Sequence, residues 1–261
     1  MRRLAKAIVG RLGGRPGGAA ESVATRYFVH IPKTAGMTVH EFLRTCRPGG
    51  RGAPELFKGY FLKDVLDDLE AARRCTVFAG HFIGFLDPLL ARDTRKATVL
   101  RDPVERAISH YRHVRRDSRL PFHDEFRRRT LAEVLDDPGL RGFAMNVQAR
   151  YLAALADDPA WLDHTMQLRV SPRDDDELLG RARQGLGLVE LVGLHDRLPD
   201  FLDRLAIAWD LSRPAGIPQK NVAADRDGAE VTDDERAMLR DLNRVDAELY
   251  ATVEARLGCP G

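Results

Sequence analysis

Four short apolar runs, each closed by a polar or small-residue turn and trailed by residues of helical periodicity, constrain the fold of this chain more than any other feature. They begin at YFVHI (27–31), CTVFAGH (75–81), ATVLRDP (97–103) and LGLVELVGLHD (186–196). Continuous apolar runs of this length suit strands covered on both faces, as in a parallel sheet. Helical patterns are expected over Phe61 to Arg74, Val104 to Arg116, Leu131 to Asp136, Phe143 to Ala156, Leu198 to Trp209 and Thr232 to Leu257. Alternation of the two predicts an α/β fold, a three-layer α/β/α sandwich around a central parallel sheet. At 261 residues the chain suits one large domain, expected over 23–261.

Composition narrows the function classes. The 41 basic and 39 acidic residues leave a formal charge of +2, so net charge gives no reason to expect a nucleic-acid polymer as partner. Cys46, Cys75 and Cys259 are odd in number and far apart, without metal-ligand spacing, which argues against a disulfide framework and fits a reducing compartment. No apolar run reaches the roughly 18 to 20 residues that span a bilayer. Residues 1–22 read as a basic, flexible tail: Leu4, Ile8 and Leu12 share a helical face beside Arg2, Arg3, Lys6 and Arg11, enough for weak peripheral membrane contact at most. The expected location is cytoplasmic.

The first run leads into PKTAGMT (32–38), and Val39, Phe42 and Leu43 then recur at helical spacing. A strand, a tight loop and a helix start bring free backbone N–H groups to one point, an anion site to which Lys33 adds a full charge. Thr34 and Thr38 hydroxyls and the Gly36 backbone complete a cradle, with Ala35 and Met37 between them. His81 and Arg101 each follow another expected strand, so a parallel sheet gathers Lys33, His81 and Arg101 along one edge, where open α/β sheets bind ligands. An imidazole with an ordinary pKa near 6.5 suits proton transfer at neutral pH.

In RDPVERAISHYRHVRR, Asp102 is a helix cap, Pro103 fits the first turn and Glu105 the third helical position; Val104, Ala107, Ile108, Tyr111 and Val114 form the buried stripe and leave Ser109 on a more polar face. The loop does not match a Walker nucleotide site, because Lys33 precedes Gly36 and Met37 follows it, whereas GxxxxGK[ST] needs the lysine after the second glycine.

HIPKTAGMT (30–38), FAGHFIGFLD (78–87) and VLRDPVERAISHYRH (99–113) resemble, in order and spacing, the sulfotransferase family that includes the heparan sulfate and uronyl 2-O-sulfotransferases. A weaker likeness extends to NVQARYLA (146–153), VGLHDRLPDFLDRL (192–205) and NRVDAELYATVEARL (243–257). The resemblance implies a P-loop-like sulfotransferase fold and a donor, 3′-phosphoadenosine 5′-phosphosulfate (PAPS), leaving as 3′-phosphoadenosine 5′-phosphate (PAP), without a metal. It implies that residues 33–38 hold the 5′-phosphosulfate, with Lys33 on the bridging oxygen, that Arg101 and Ser109 take the 3′-phosphate, and that His81 is the base for an acceptor hydroxyl. Lys220 and Asn221, in IPQKNV (217–222), are candidates for a basic loop closing over the nucleotide.

Met37 departs from the family, where threonine or serine is common, and the amino-terminal membrane anchor of the Golgi members is not recognisable here, which points to a bacterial-type relative. A carbohydrate is the expected acceptor. Arg112, Arg115, Arg116, Arg119, Arg127, Arg128 and Arg129 flank SRLPFHDEF and suit an acidic glycan, with a solvated helix surface as the plain alternative. Two other functions stand beside the sulfotransferase: a nucleotide-dependent phosphotransferase using the same phosphate-cradling loop, and a non-catalytic nucleotide-binding protein.

Overall fold

The computed structural model describes residues 24–48, 55–82, 86–156, 174–212 and 230–258. In chain order the elements are β1 (Thr25–Val29), α1 (Gly36–Thr45), β2 (Arg47–Pro48), α2 (Leu62–Asp67), α3 (Leu69–Arg74), β3 (Val77–Gly80), α4 (Leu86–Leu90), β4 (Thr94–Leu100), α5 (Pro103–Arg116), α6 (His123–Arg128), α7 (Leu131–Asp136), α8 (Val147–Ala153), α9 (Asp175–Gly187), β5 (Leu191–Leu194), α10 (Leu198–Ala208), β6 (Leu211–Ser212), α11 (Asp233–Leu242) and α12 (Arg244–Gly258). Single 3₁₀ turns occupy Arg141–Phe143, Ala154–Ala156 and His195–Arg197.

The fold is α/β, built on a four-stranded parallel sheet of order β3-β1-β4-β5. Strand residues alternate between two cores, as the twofold period of a strand requires. Tyr27, Val29, Phe78 and Leu100 enter one core with residues of α8, α9 and α12; Phe28, Ala79, Ala97 and Val99 enter another with Val39 and Phe42 of α1 and Phe201, Leu202 and Leu205 of α10. The sheet is therefore covered on both faces. Because β3 and β4 flank β1 on opposite sides, the strand order reverses at β1, and the carboxyl ends of β1, β3 and β4 frame one crevice. No helix among the described residues is long and apolar enough to cross a membrane.

Several expected elements are divided or displaced. The single helix expected over Phe61–Arg74 breaks at Asp68, whose backbone is non-helical (φ −139°, ψ 74°) and whose carboxylate caps α3 by accepting the Ala71 N–H. The helix expected over Thr232–Leu257 divides at Asn243, a buried amide whose Oδ1 accepts the Asn146 N–H from a distant segment. The segment Phe143–Ala156 is continuous helix only over α8, with turns on either side. The run 186–196 yields a strand over Leu191–Leu194 alone, since α9 continues to Gly187, and part of SRLPFHDEF is the helix α6.

Charges that an amphipathic-helix reading puts outside are buried as well, among α5, α8 and α12. Arg106 on α5 and Arg150 on α8 are buried, Arg106 donating to the carbonyls of Phe143 (3.0 Å) and Ala144 (3.2 Å), and Arg150 to that of Gly142 (2.5 Å). Their shared countercharge is Asp246 of α12, fully buried, which accepts the Gln148 N–H (3.0 Å) and the Ala149 N–H (2.7 Å). Burial lowers both guanidinium pKa values to about 10, and Asp246 opposes that fall. Asp246→Ala is expected to remove about 3–5 kcal/mol of stability, because two buried cations lose their common anion. Urea unfolding of the variant beside the wild type measures this.

Candidate functional site

Three strand ends build the site. After β1 the chain turns through Pro32–Ala35 with two non-glycine residues in the left-handed region, Lys33 (φ 71°) and Ala35 (φ 68°). Such backbone is costly and persists only where the surroundings impose it. Here the Thr34 hydroxyl, fully buried, donates to the Ile31 carbonyl (2.9 Å), and the Thr38 and Val39 N–H groups both bond the Ala35 carbonyl (2.9 and 3.2 Å). Ala35 caps α1 without a side-chain hydrogen bond, so the N-cap residue itself brings no oxygen to the positive end of that helix. The Thr34 hydroxyl hydrogen is thus engaged in shaping the loop, while Thr38 is buried and Met37 is exposed.

Gly36 has a steric reason of its own. A Cβ there would lie 1.8 Å from Cδ2 of the buried His30 ring. Gly36→Ala is expected to displace that ring and cost about 1–3 kcal/mol, visible as a fall in melting temperature.

Lys33 is half-buried, and its surroundings are cationic. Burial first, then the charges of Arg116 and Arg101, lower its pKa to about 8. Arg101, half-buried at the end of β4, donates from Nη1 to the Lys33 carbonyl (3.3 Å). Its backbone is clasped by the fully buried Gln148, whose Oε1 accepts the Arg101 N–H (2.9 Å) and whose Nε2 donates to the Arg101 carbonyl (2.8 Å). Since Gln148 in turn donates its N–H to Asp246, the buried charge network extends to the crevice. Ser109, half-buried, shares a face of α5 with His113 and Arg116 by its four- and seven-residue spacing. The charge of Lys33 acts on His110 and His113 of the same helix.

His81 follows β3 and is held by its own backbone and by His30. Its N–H donates to the Tyr60 carbonyl (2.7 Å), and the two imidazole rings stack with centroids 4.4 Å apart at 25°. His81 Nδ1 lies 2.7 Å from the His30 carbonyl oxygen. A carbonyl can only accept, so Nδ1 carries the hydrogen and Nε2 keeps its lone pair. Burial lowers the His81 pKa, partly offset by that hydrogen bond, and the neutral ring is the state at pH 7. His30 is held well below its usual range, by burial first and then by the charges of His81, His40 and Lys33. His30 therefore adjoins both His81 and Lys33 in space.

The structure thus brings Lys33, Arg101 and His81 to one edge, with Thr34, Ala35 and the first turn of α1 following Lys33. Lys220 and Asn221 lie outside the described residues. The expected arginine surface is partly spent on structure: Arg115 donates to the carbonyls of Phe126, Arg127 and Arg129, Arg119 pairs with Asp117, and Arg129 with Asp137. Sequence reasoning missed His30 and Gln148 as supports of the site; the histidine immediately before IPKT was the available signal for the first. Among the described residues no group of three His, Cys, Asp or Glu side chains is arranged to hold a metal ion. A comparison with models of known protein families finds no match, and a comparison with curated proteins finds none either.

Proposed function

We propose that the chain transfers a sulfuryl group from PAPS to the hydroxyl of an acceptor, a carbohydrate in the first instance. One observation carries the reading. A lysine acted on by the charges of Arg116 and Arg101 sits beside a helix start whose N-cap is an alanine, and an imidazole with its Nε2 lone pair available stands one strand away. The first arrangement asks for an anion and the second for a proton. The sequence resemblance to the 2-O-sulfotransferases names a reaction that supplies both.

The residues fit the two phosphate ends of such a donor. Lys33 with the backbone N–H groups of 35–37 suits the 5′-phosphosulfate, and Arg101 with Ser109 the 3′-phosphate. In the transfer the sulfur–oxygen bond to the phosphate breaks, a sulfur–oxygen bond to the acceptor forms, and the hydroxyl proton goes to His81 Nε2. Lys33 opposes the negative charge growing on the departing phosphate oxygen, which is where a fixed cation lowers the barrier.

Thermal unfolding with PAP, ADP, and ATP with magnesium tests the reading. At about a hundred times its dissociation constant PAP should add about 2.7 kcal/mol, or about 5–10 °C for a chain of this size. A shift with ATP and magnesium but none with PAP would favour the phosphotransferase.

A further inference from the structure

A large aromatic side chain at a helix start, open to water, calls for an explanation. Phe61 is 57% exposed although it is the N-cap of α2, a position that favours Ser, Thr, Asp or Asn. Its backbone is nonetheless tightly held. The Phe61 and Tyr60 N–H groups both donate to the Asp64 carboxylate (2.8 Å each), and Phe61 bridges to His81 in parallel register. The ring is thereby presented beside the His81 imidazole, centroids 5.6 Å apart at 30°.

The surface continues from there. Tyr60 packs on His40 (4.9 Å between centroids), its hydroxyl meets Met37 Sδ at 3.4 Å, and Met37 is itself 44% exposed. Phe61, Tyr60 and Met37 make an apolar wall beside His81, and folding alone leaves it unexplained. A carboxylate borders this wall. The charge acting on the Tyr60 phenol is the Glu41 carboxylate, whose partner is Arg44 on α1. Three of the arginines suited by sequence to an acidic glycan are bound to carbonyls or carboxylates elsewhere.

We infer that Phe61, with Tyr60 and Met37, is the acceptor subsite of the proposed transferase, and that it takes an uncharged ring with an apolar face and a hydroxyl at its edge. The ring face stacks on Phe61, and the edge hydroxyl then meets His81 Nε2. A neutral sugar and a phenol share this chemistry. The inference rests on the sulfotransferase reading.

Transfer of labelled sulfate from PAPS is measured with three acceptors: 4-nitrophenyl β-glucoside, its glucuronide counterpart, and 2-naphthol. The wild type should use the glucoside or the naphthol, whichever source applies, with kcat/KM about tenfold above the glucuronide. Phe61→Ala should raise KM for that acceptor about tenfold with little change in kcat, and Phe61→Tyr should restore it. Both variants should keep the wild-type melting shift with PAP, which excludes misfolding as the cause. A preference for the glucuronide, an unchanged KM in Phe61→Ala, or PAP binding without use of either uncharged acceptor overturns the subsite alone. Failure of PAP to shift the wild type, with no transfer to any acceptor, overturns the sulfotransferase reading and the subsite with it.

Discussion

His81→Ala is expected to lower kcat by a factor of roughly 10² to 10⁴ while leaving PAP binding unchanged. The first half follows from the tautomer. Because Nδ1–H is committed to the His30 carbonyl, Nε2 is the nitrogen able to take the acceptor proton, and alanine removes it. The second half follows from position. His81 stands at the end of β3, while the cations that suit the donor stand at the ends of β1 and β4, and no charge on His81 contributes to anion binding when its pKa is lowered by burial. Equal loss of PAP affinity and of turnover would mean that His81 holds the nucleotide, and the role given to it here would be wrong.

Lys33→Ala is expected to cost both binding and catalysis. A donor aimed at developing charge is worth about 10² to 10³ in kcat, and the same ammonium contributes to donor affinity. Lys33→Arg should not restore the rate, because a planar fork on a strained, left-handed residue cannot reproduce a point charge. The pH dependence of kcat/KM separates the two residues. His81 must be neutral, so activity survives as pH falls through 6.5 and is lost below it, at the lowered pKa. Lys33 must be charged, so activity falls as pH rises through about 8. In Lys33→Arg the alkaline limb should move upward, since arginine stays protonated there.

The strand–loop–helix at 27–38 and the Asp102 cap were legible because local rules decide them. Pro32 ends the run, Pro103 starts a helix, and Asp102 accepts the Glu105 N–H at 2.8 Å. The Glu105 side chain illustrates where such rules stop: instead of closing a capping box it pairs with Arg236 of α11 (2.7 Å), 131 positions away. Arg106, Arg150, Asp246 and Gln148 were illegible for the same reason. Each is polar in a helical pattern, where amphipathicity places it at the surface, and only long-range pairing makes its burial tolerable. The break at Asn243 depends on Asn146 in the same way. Phe61 shows the converse, an apolar residue that a pattern puts inside and that a backbone bridge to His81 holds at the surface. Convergence of Lys33, His81 and Arg101 needed only the parallel sheet, and so the sequence could anticipate it.

Calorimetric titration of PAP at pH 8, in buffers of different ionisation enthalpy, tests the central claim most directly. Free Lys33, with a pKa of about 8, is half protonated at that pH, and a phosphate group bound against it should complete its protonation. Binding should therefore take up about half a proton, and Lys33→Arg should abolish the uptake. Absence of PAP binding, or binding whose proton uptake is the same in both proteins, would contradict a donor site at Lys33.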